Sequence, residues 1–316
     1  MKNFYAIYDF RVAPLTFDFV TFLGLAYLYF SSFFQKGVKP EFSIVLFRPH
    51  FRNATNYEQE IHSRGLCDSR FENIVIGVLS CVPVVKSVHI CRDISDCEKL
   101  LKESIMFPPK YDLRTVTSDG LTRIPCVYNF FEQFAGSIPA HLFKKEYFAG
   151  NYDCQKQVSL SLRNSFQKPE RECNLDDWFA LYQDLEARGL KPIVIPDHDD
   201  AINDGKYKSY SWKTDLGASC NIFLRLKRYS MSQYNIASPS GMNTLLFFSD
   251  NSFYVPGYLD SRYPTSSPDF MNRKGPKLNT QLFWFRPDQK IGWEEFPLIN
   301  KQKLLEISRD YIPDTE

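Results

Sequence analysis

The sequence lacks the short signatures that usually announce a chemistry. It has no GxxxxGK[ST] phosphate loop, no GxGxxG turn after the first apolar segment, no GxSxG elbow and no HExxH helix. Those absences argue against P-loop NTPases, ordinary dinucleotide-binding enzymes, elbow-type serine hydrolases and zincin proteases. Eight cysteines stand at 67, 81, 91, 97, 126, 154, 173 and 220, and none forms a CxxC pair. A zinc ribbon or thioredoxin-type motif is therefore not expected, and the apolar surroundings read the thiols as reduced in a cytosolic protein. The net charge is only +1, which leaves no broad cationic field, so no nucleic-acid partner is expected. Glycine is sparse at 14 residues and no low-complexity tract occurs, so the chain reads as globular.

The run FVTFLGLAYLYFSSFF, residues 19–34, carries no charge. It is shorter than the ~20 residues a spanning helix needs. Asp18 opens it and a strand-like segment precedes it, so it reads as a buried first helix rather than an integral membrane span. Neither a cleavage site nor a basic start speaks for a secretory signal.

What is present is length and aromatic mass. A chain of 316 residues with 28 Phe and 18 Tyr has room for two domains and a large core. Such rings fill cores and also line sites that stack on sugars or bases. Along the first half, strand-like Asn3–Asp9, Phe42–Phe47 and Val84–Cys91 alternate with helix-like 19–34, 71–81 and 96–104, the last with Ser95 as a candidate cap. The stretch 107–153 is irregular. After it the rhythm restarts, with strands Val158–Leu162, Lys191–Pro196, Tyr234–Ala237 and Ser252–Val255. Between them, Asn174 is a plausible cap for a helix whose Trp178, Leu181, Tyr182 and Leu185 share one face, ended by Gly189. Residues 221–229, 244–248 and 301–312 complete the helices. Strand alternating with helix implies mostly parallel sheets with crossovers. The expected domains are 1–152 and 153–316, with separate sheets.

In open α/β sheets ligands bind beyond the carboxyl ends of the strands. Arg163 lies at such an end, with Lys168 and Arg171 close behind. A guanidinium there can grip a diphosphate through paired, charge-assisted hydrogen bonds; it can equally pair with an acid of the next helix, such as Asp176 or Asp177. Ser238, Ser240, Gly241 and Asn243 sit between a strand and a helix, where exposed N–H groups and the helix dipole favour an anion, although serine is an ordinary cap there. Asp197 and His198 follow another strand and can hold ribose hydroxyls or a base edge. A metal is not expected, because the acids at 197–200 crowd on one loop. In the first half, Asp9, Arg11 and Asp18 flank the first strand-to-helix loop. Either carboxylate can serve as a general base, while Asp18 also suits a helix N-terminus. Arg48 and His50, with Arg52, follow the second strand and can hold an anionic acceptor or form a plain surface loop.

The segment VSLSLRNSFQKPERECNLDDWFALYQDL…GLKPIVIPDHDD resembles the donor-binding half of bacterial GT-B-type glycosyltransferases. Arg163 resembles the arginine of the HxRxxD motif of fucosyltransferase-type enzymes, and a heptosyltransferase-like donor half is similar in outline. Ser161 stands where that motif has His, and Phe166 where it has Asp. The opening YAIYDFRVAPLTFDFVTFLGLAYLYF is similar to the first β/α unit of such proteins. The resemblance implies an α/β fold of two Rossmann-like domains facing across a cleft, with acceptor on the first, donor on the second, and the last helix returning to the first. It implies transfer of a sugar from a nucleotide-sugar donor to a glycan or glycolipid acceptor in polysaccharide biosynthesis. No metal or other cofactor is implied, and the setting is cytoplasmic with peripheral contact at the inner face of a membrane left open. On that reading Asp9 or Asp18 takes the acceptor proton; Arg11, Arg48 and His50 hold the acceptor; Arg163, Lys168, Arg171, Asp197, His198, Ser238, Ser240, Gly241 and Asn243 hold the donor. Two other classes remain: a non-catalytic nucleotide- or sugar-binding protein on a decayed transferase fold, and another Rossmann-type transferase such as a methyltransferase. The latter would want a glycine-rich loop after the first strand, where AIYDFRVAP has none.

Overall fold

The computed structural model describes residues 3–34, 37, 40–115, 141–149, 155–164, 169–202, 205–263, 266–274, 278–282 and 284–313. The chain divides into two compact units, Met1–Leu142 and Phe143–Glu316. That division falls ten residues before the expected 152/153 boundary, inside the irregular stretch.

In the first unit, β1 (Asn3–Asp9) runs into α1 (Asp18–Phe34), followed by β2 (Glu41–Phe47) and α2 (Asn56–Ser63). Next come α3 (Cys67–Arg70), continued by a π-helical Phe71–Ile76, then β3 (Ser87–Cys91), α4 (Ile94–Leu101) and β4 (Ile105–Phe107). The strands form one parallel sheet in the order β3-β2-β1-β4. β1 and β2 are buried from their second residue onward, as central parallel strands covered on both faces must be. α1 is apolar almost all round for the same reason: Phe19, Val20, Phe22, Leu23, Leu25, Ala26 and Leu28 are all buried. Among the described residues no helix is long and apolar enough to cross a membrane.

The aromatic mass of this unit serves packing. Phe4 meets Phe30 at 5.3 Å and Phe42 at 5.5 Å between centroids, Phe30 meets Phe42 at 4.9 Å, and Phe22 meets Phe107 at 5.5 Å. Phe4 and Phe30 meet edge to face and the other pairs are tilted; aromatic pairs in such geometries add about 0.5–1.5 kcal/mol each beyond the area they bury. Tyr8 is fully enclosed and donates to the Pro14 carbonyl at 2.7 Å. Burial raises its phenol well above the ordinary value.

In the second unit, α5 (Glu146–Ala149) precedes β5 (Gln157–Ser161), α6 (Leu175–Ala187), β6 (Lys191–Ile195), α7 (His198–Ile202), α8 (Leu216–Cys220) and α9 (Ile222–Met231). Then come β7 (Tyr234–Ala237), α10 (Asn243–Phe247), β8 (Phe253–Val255), α11 (Pro268–Lys274), β9 (Gln289–Ile291) and α12 (Lys301–Tyr311). The sheet is again parallel, in the order β6-β5-β7-β8-β9, so β5 lies between β6 and β7. Asn174 caps α6 by accepting from the Asp176 amide at 3.1 Å, and Gly189 leaves the helix at φ 75°, the left-handed C′ geometry that favours glycine. Trp178, Leu181, Tyr182 and Leu185 form one core with Val158, Leu160 and Val194.

α12 joins the same core. Leu304, Tyr311 and Ile312 pack among the residues of α6 and β5, and Arg188 donates to Ser308 at 3.2 Å. The last helix, expected on the first domain, packs on α6.

Candidate functional site

Strand order does the assembling. With β6, β5 and β7 adjacent and parallel, their carboxyl ends bring Asp197, Arg163 and Ser238 to one edge of the second sheet. Hydrogen bonds continue past the strands: Leu162 donates to the Ile195 carbonyl at 3.0 Å and Ser238 to the Ser161 carbonyl at 2.9 Å. The Ser238 hydroxyl, buried, accepts from the Arg163 amide at 2.7 Å. The Asn243 side chain, also buried, donates to the Ser238 carbonyl at 2.9 Å. Ser238 and Asn243, expected to touch the donor, are therefore spent on fixing the backbone from which Arg163 projects.

The predicted anion site at the start of α10 is altered in the same way. The Asn243 and Thr244 amides donate back to the carbonyls of Ser240 and Gly241, at 3.2 and 3.3 Å. The helix is five residues long, so few aligned peptides contribute to its dipole. Ser240 donates to the Asn243 side chain at 3.2 Å, and Gly241 is exposed. The segment acts as a brace beneath Arg163, with Gly241 at its surface.

Arg163 is half-buried, and its carbonyl accepts from the Cys173 amide at 3.0 Å. Burial pushes the Cys173 thiol up to about 11, against the hydrogen bond from Ser238 and the charge of Arg163, while Asp197 pushes the same way as burial. Cys173 thus stays protonated at neutral pH, an apolar floor beneath Arg163 and Asp197. Lys168 lies outside the described residues. His198 is half-buried at the first position of α7.

The sequence did not point to the next group. The loop after β8 carries Asp260, fully buried, whose carboxylate takes the Arg262 Nε at 2.8 Å and Nη2 at 2.9 Å. Arg171 approaches the same carboxylate at 3.5 Å and lies over the Tyr263 ring at 5.3 Å. Burial, then the like charge of Arg163, pulls Arg171 below the ordinary guanidinium value, with Asp260 pulling it back. Burial pushes Asp260 upward, but Arg262 and then Arg171 bring it below the usual carboxylate range. Two guanidiniums therefore share one buried carboxylate, with Arg163 near enough to act on Arg171, and the buried Nε of Arg171 has no hydrogen-bond partner. The local signal was the Asp-x-Arg of GYLDSRYP beside a strand end, masked by the shortness of β8.

A second buried arginine sits beneath the β6 end. Arg225, buried, donates to the Ala218 carbonyl at 2.9 Å and the Tyr229 hydroxyl at 3.2 Å, and reaches the Pro196 carbonyl at 3.5 Å. Ser219 donates to the same Pro196 carbonyl at 2.8 Å. The peptide just before Asp197 is thereby held from below.

In the first unit, Asp9 is buried and fully engaged. It accepts from the Arg11 amide at 2.9 Å, from Arg11 Nη2 at 2.6 Å and from the Tyr111 hydroxyl at 2.7 Å. Burial and then the hydrogen bond to Asp9 raise Tyr111, and the same carboxylate raises Arg11. Arg11 also donates to the Leu113 carbonyl at 2.8 Å and stacks 4.5 Å from the Phe47 ring. Asp9 and Arg11 are thus bonded to each other, to Tyr111 and to the Leu113 carbonyl. Their geometry is that of a tie between β1 and the 111–113 segment. Asp18 is half-buried at the first turn of α1, where its amide donates to the Thr16 hydroxyl at 3.2 Å. Arg48 pairs with Asp68 and lies between the rings of Phe51 and Phe71, at 4.6 and 4.5 Å. His50 is exposed, and Arg52 donates to the Val12 carbonyl at 2.7 Å and pairs with Glu58 at 3.1 Å. Among the described residues no three His, Cys, Asp or Glu side chains converge as metal ligands.

This fold of two parallel sheets is similar to those of solved glycosyltransferases. The chain aligns over 98% of its length with 99% of the E. coli heptosyltransferase WaaC, solved with ADP, at a TM-score of 0.50 and 8% identity. It aligns over 99% of its length with 98% of a glycosyl transferase family 9 protein from Veillonella parvula, at a TM-score of 0.52 and 8% identity. At that identity the likeness is one of fold. No protein-family model matches the sequence, and no curated protein is similar to it in sequence.

Proposed function

We propose that this protein is a glycosyltransferase that moves a sugar from a nucleotide-sugar donor to a glycan or glycolipid acceptor without a metal ion. The observation that carries the proposal is the pairing of Arg171 and Arg262 with one buried carboxylate at the strand ends of the second unit, with Arg163 near enough to Arg171 for their like charges to repel. Arg163 and Arg171 repel each other across this strand-end group, and a buried N–H of Arg171 has no hydrogen-bond partner. A diphosphate supplies the missing anion, and Arg163 presents the planar fork that suits it. As the glycosidic bond of the donor breaks, negative charge grows on the leaving diphosphate. Preorganised guanidiniums stabilise that charge without reorganising, the role a divalent cation fills elsewhere. The ADP in the heptosyltransferase WaaC structure supports a nucleoside diphosphate as the ligand class.

Asp197 and His198, just past the strand next to Arg163, would meet ribose or base. On the first unit, Asp9 or Asp18 accepts a proton from the acceptor hydroxyl. Arg48 and His50 stand after β2, with His50 the more exposed of the two. The tie on Asp9 also favours a second reading, in which the same donor site binds a sugar nucleotide without transferring its sugar.

Release of nucleoside diphosphate from sugar nucleotides separates the two readings. With EDTA present, the transferase reading expects turnover to continue at the metal-free rate. Loss of turnover on chelation, restored by Mg²⁺ or Mn²⁺, contradicts the arginine mechanism. Tight binding with no release at any acceptor favours the second reading.

A further inference from the structure

The second unit carries an apolar and basic face remote in sequence from the strand-end arginines. Tyr147 on α5, Leu216 on α8 and Phe223 and Leu224 on α9 are 47%, 41%, 47% and 42% exposed. These are neighbours: α9 packs against both α5 and α8. The Phe223 ring lies 5.7 Å from that of Phe148, which is buried beneath it. Leu224 lies over Gly217, so close that its Cδ1 is 3.1 Å from where a β-carbon there would stand. The Asn221 cap explains the placement. It accepts from the Leu224 amide at 3.0 Å and starts α9 so that Arg225, Leu226 and Tyr229 turn inward and Phe223 and Leu224 turn out.

The charges around these side chains are mainly positive. On or beside these elements in the sequence stand Lys144, Lys145, Lys213, Lys227 and Arg228, against Glu146, Asp215 and Asp250, whose carboxylate accepts from the Lys145 amide. Asp215 is taken by Arg228 at 2.6 Å, and Glu146 lies 3.8 Å from Lys144. Lys144 sits 5.9 Å from the Tyr147 ring centroid, an arrangement in which an aromatic body and a cationic tip point the same way. Exposed Phe, Leu and Tyr within a ring of lysines is the composition of a surface that enters the headgroup layer of a bilayer. Protein–protein interfaces, by contrast, are depleted in lysine.

We infer that this α5–α8–α9 face docks on a membrane bearing anionic headgroups, with Tyr147, Leu216, Phe223 and Leu224 at the level of the headgroups and the lysines on the phosphates. The inference stands on surface chemistry alone and is independent of the transferase reading.

The test is sedimentation of the full chain with vesicles of phosphatidylcholine, or of equal parts phosphatidylcholine and phosphatidylglycerol. The expected result is co-sedimentation with the anionic vesicles only, weakened by added salt because the charge attraction is screened. Each lysine near such a surface contributes about fivefold in partitioning, so the Lys144→Gln, Lys213→Gln double variant should lose roughly twentyfold. The Phe223→Ser, Leu224→Ser variant should lose about tenfold or more, with circular dichroism confirming that it folds. Equal binding to neutral vesicles, no binding to either, or full binding by both folded variants would overturn the inference. So would a wild-type dimer in solution that the Phe223→Ser, Leu224→Ser change dissolves, because the face would then belong to a second copy of the chain.

Discussion

Arg163→Ala is expected to fold normally and to lose roughly 10²–10³ of donor turnover, the usual cost of removing one preorganised donor to a developing anion. The backbone around it is secured without the side chain. The Ser238 hydroxyl holds its amide, the Cys173 amide holds its carbonyl, and Asn243 holds Ser238 in turn. Truncation past Cβ therefore removes charge from the site and leaves its frame. Arg163→Lys keeps the charge but not the planar fork, so it should restore only part of the loss. Kinetics of donor release decide the matter, with circular dichroism as the control for folding. Wild-type turnover in folded Arg163→Ala would remove Arg163 from the site.

The second large effect concerns stability rather than rate. Asp9 and Arg11 form a hydrogen-bonded ion pair whose side chains are 2% and 14% exposed, with Tyr111 and the Leu113 carbonyl attached. Removing one partner of a buried pair leaves the other charge uncompensated and costs about 3–5 kcal/mol. Asp9→Ala is expected near the lower end, because Arg11 retains some access to water. The Asp9→Leu, Arg11→Met double variant should recover much of that loss, since apolar replacement of both partners is often neutral. Urea unfolding at constant slope measures both. A stable Asp9→Ala protein with abolished turnover would mean instead that Asp9 acts on the acceptor.

The alternation of strands and helices was legible in the sequence because each long element carries its own pattern. α6 shows its buried face at 178, 181, 182 and 185, and the uncharged run of α1 follows β1 directly. β4 and β9 were not read from the sequence; at three residues, like β8, they display no period. The site was legible by position and less so by role. The rule that ligands meet strand ends located Arg163 and Asp197. Nothing local distinguishes a ligand-facing serine from Ser238, whose partner is a peptide 75 residues away in the chain. The same holds for Asp9 and Asp260. Each belongs to an Asp-x-Arg in which the arginine two residues on folds back onto the carboxylate. Read as isolated acids they look reactive; in the fold they are neutralised, and the surplus cation becomes the feature of interest.

The central claim is that the second unit binds a nucleoside diphosphate through its arginines. The most direct measurement is the thermal midpoint of the wild-type chain in EDTA, against a panel of nucleoside diphosphates, sugar nucleotides and nucleoside monophosphates. A ligand bound only by the native state stabilises it by about 2.7 kcal/mol at a hundred times its dissociation constant. The account predicts that at least one diphosphate nucleotide raises the midpoint, that its monophosphate raises it far less, and that Arg163→Ala abolishes the difference. A panel that leaves the midpoint unmoved, or a monophosphate as effective as its diphosphate, would contradict it.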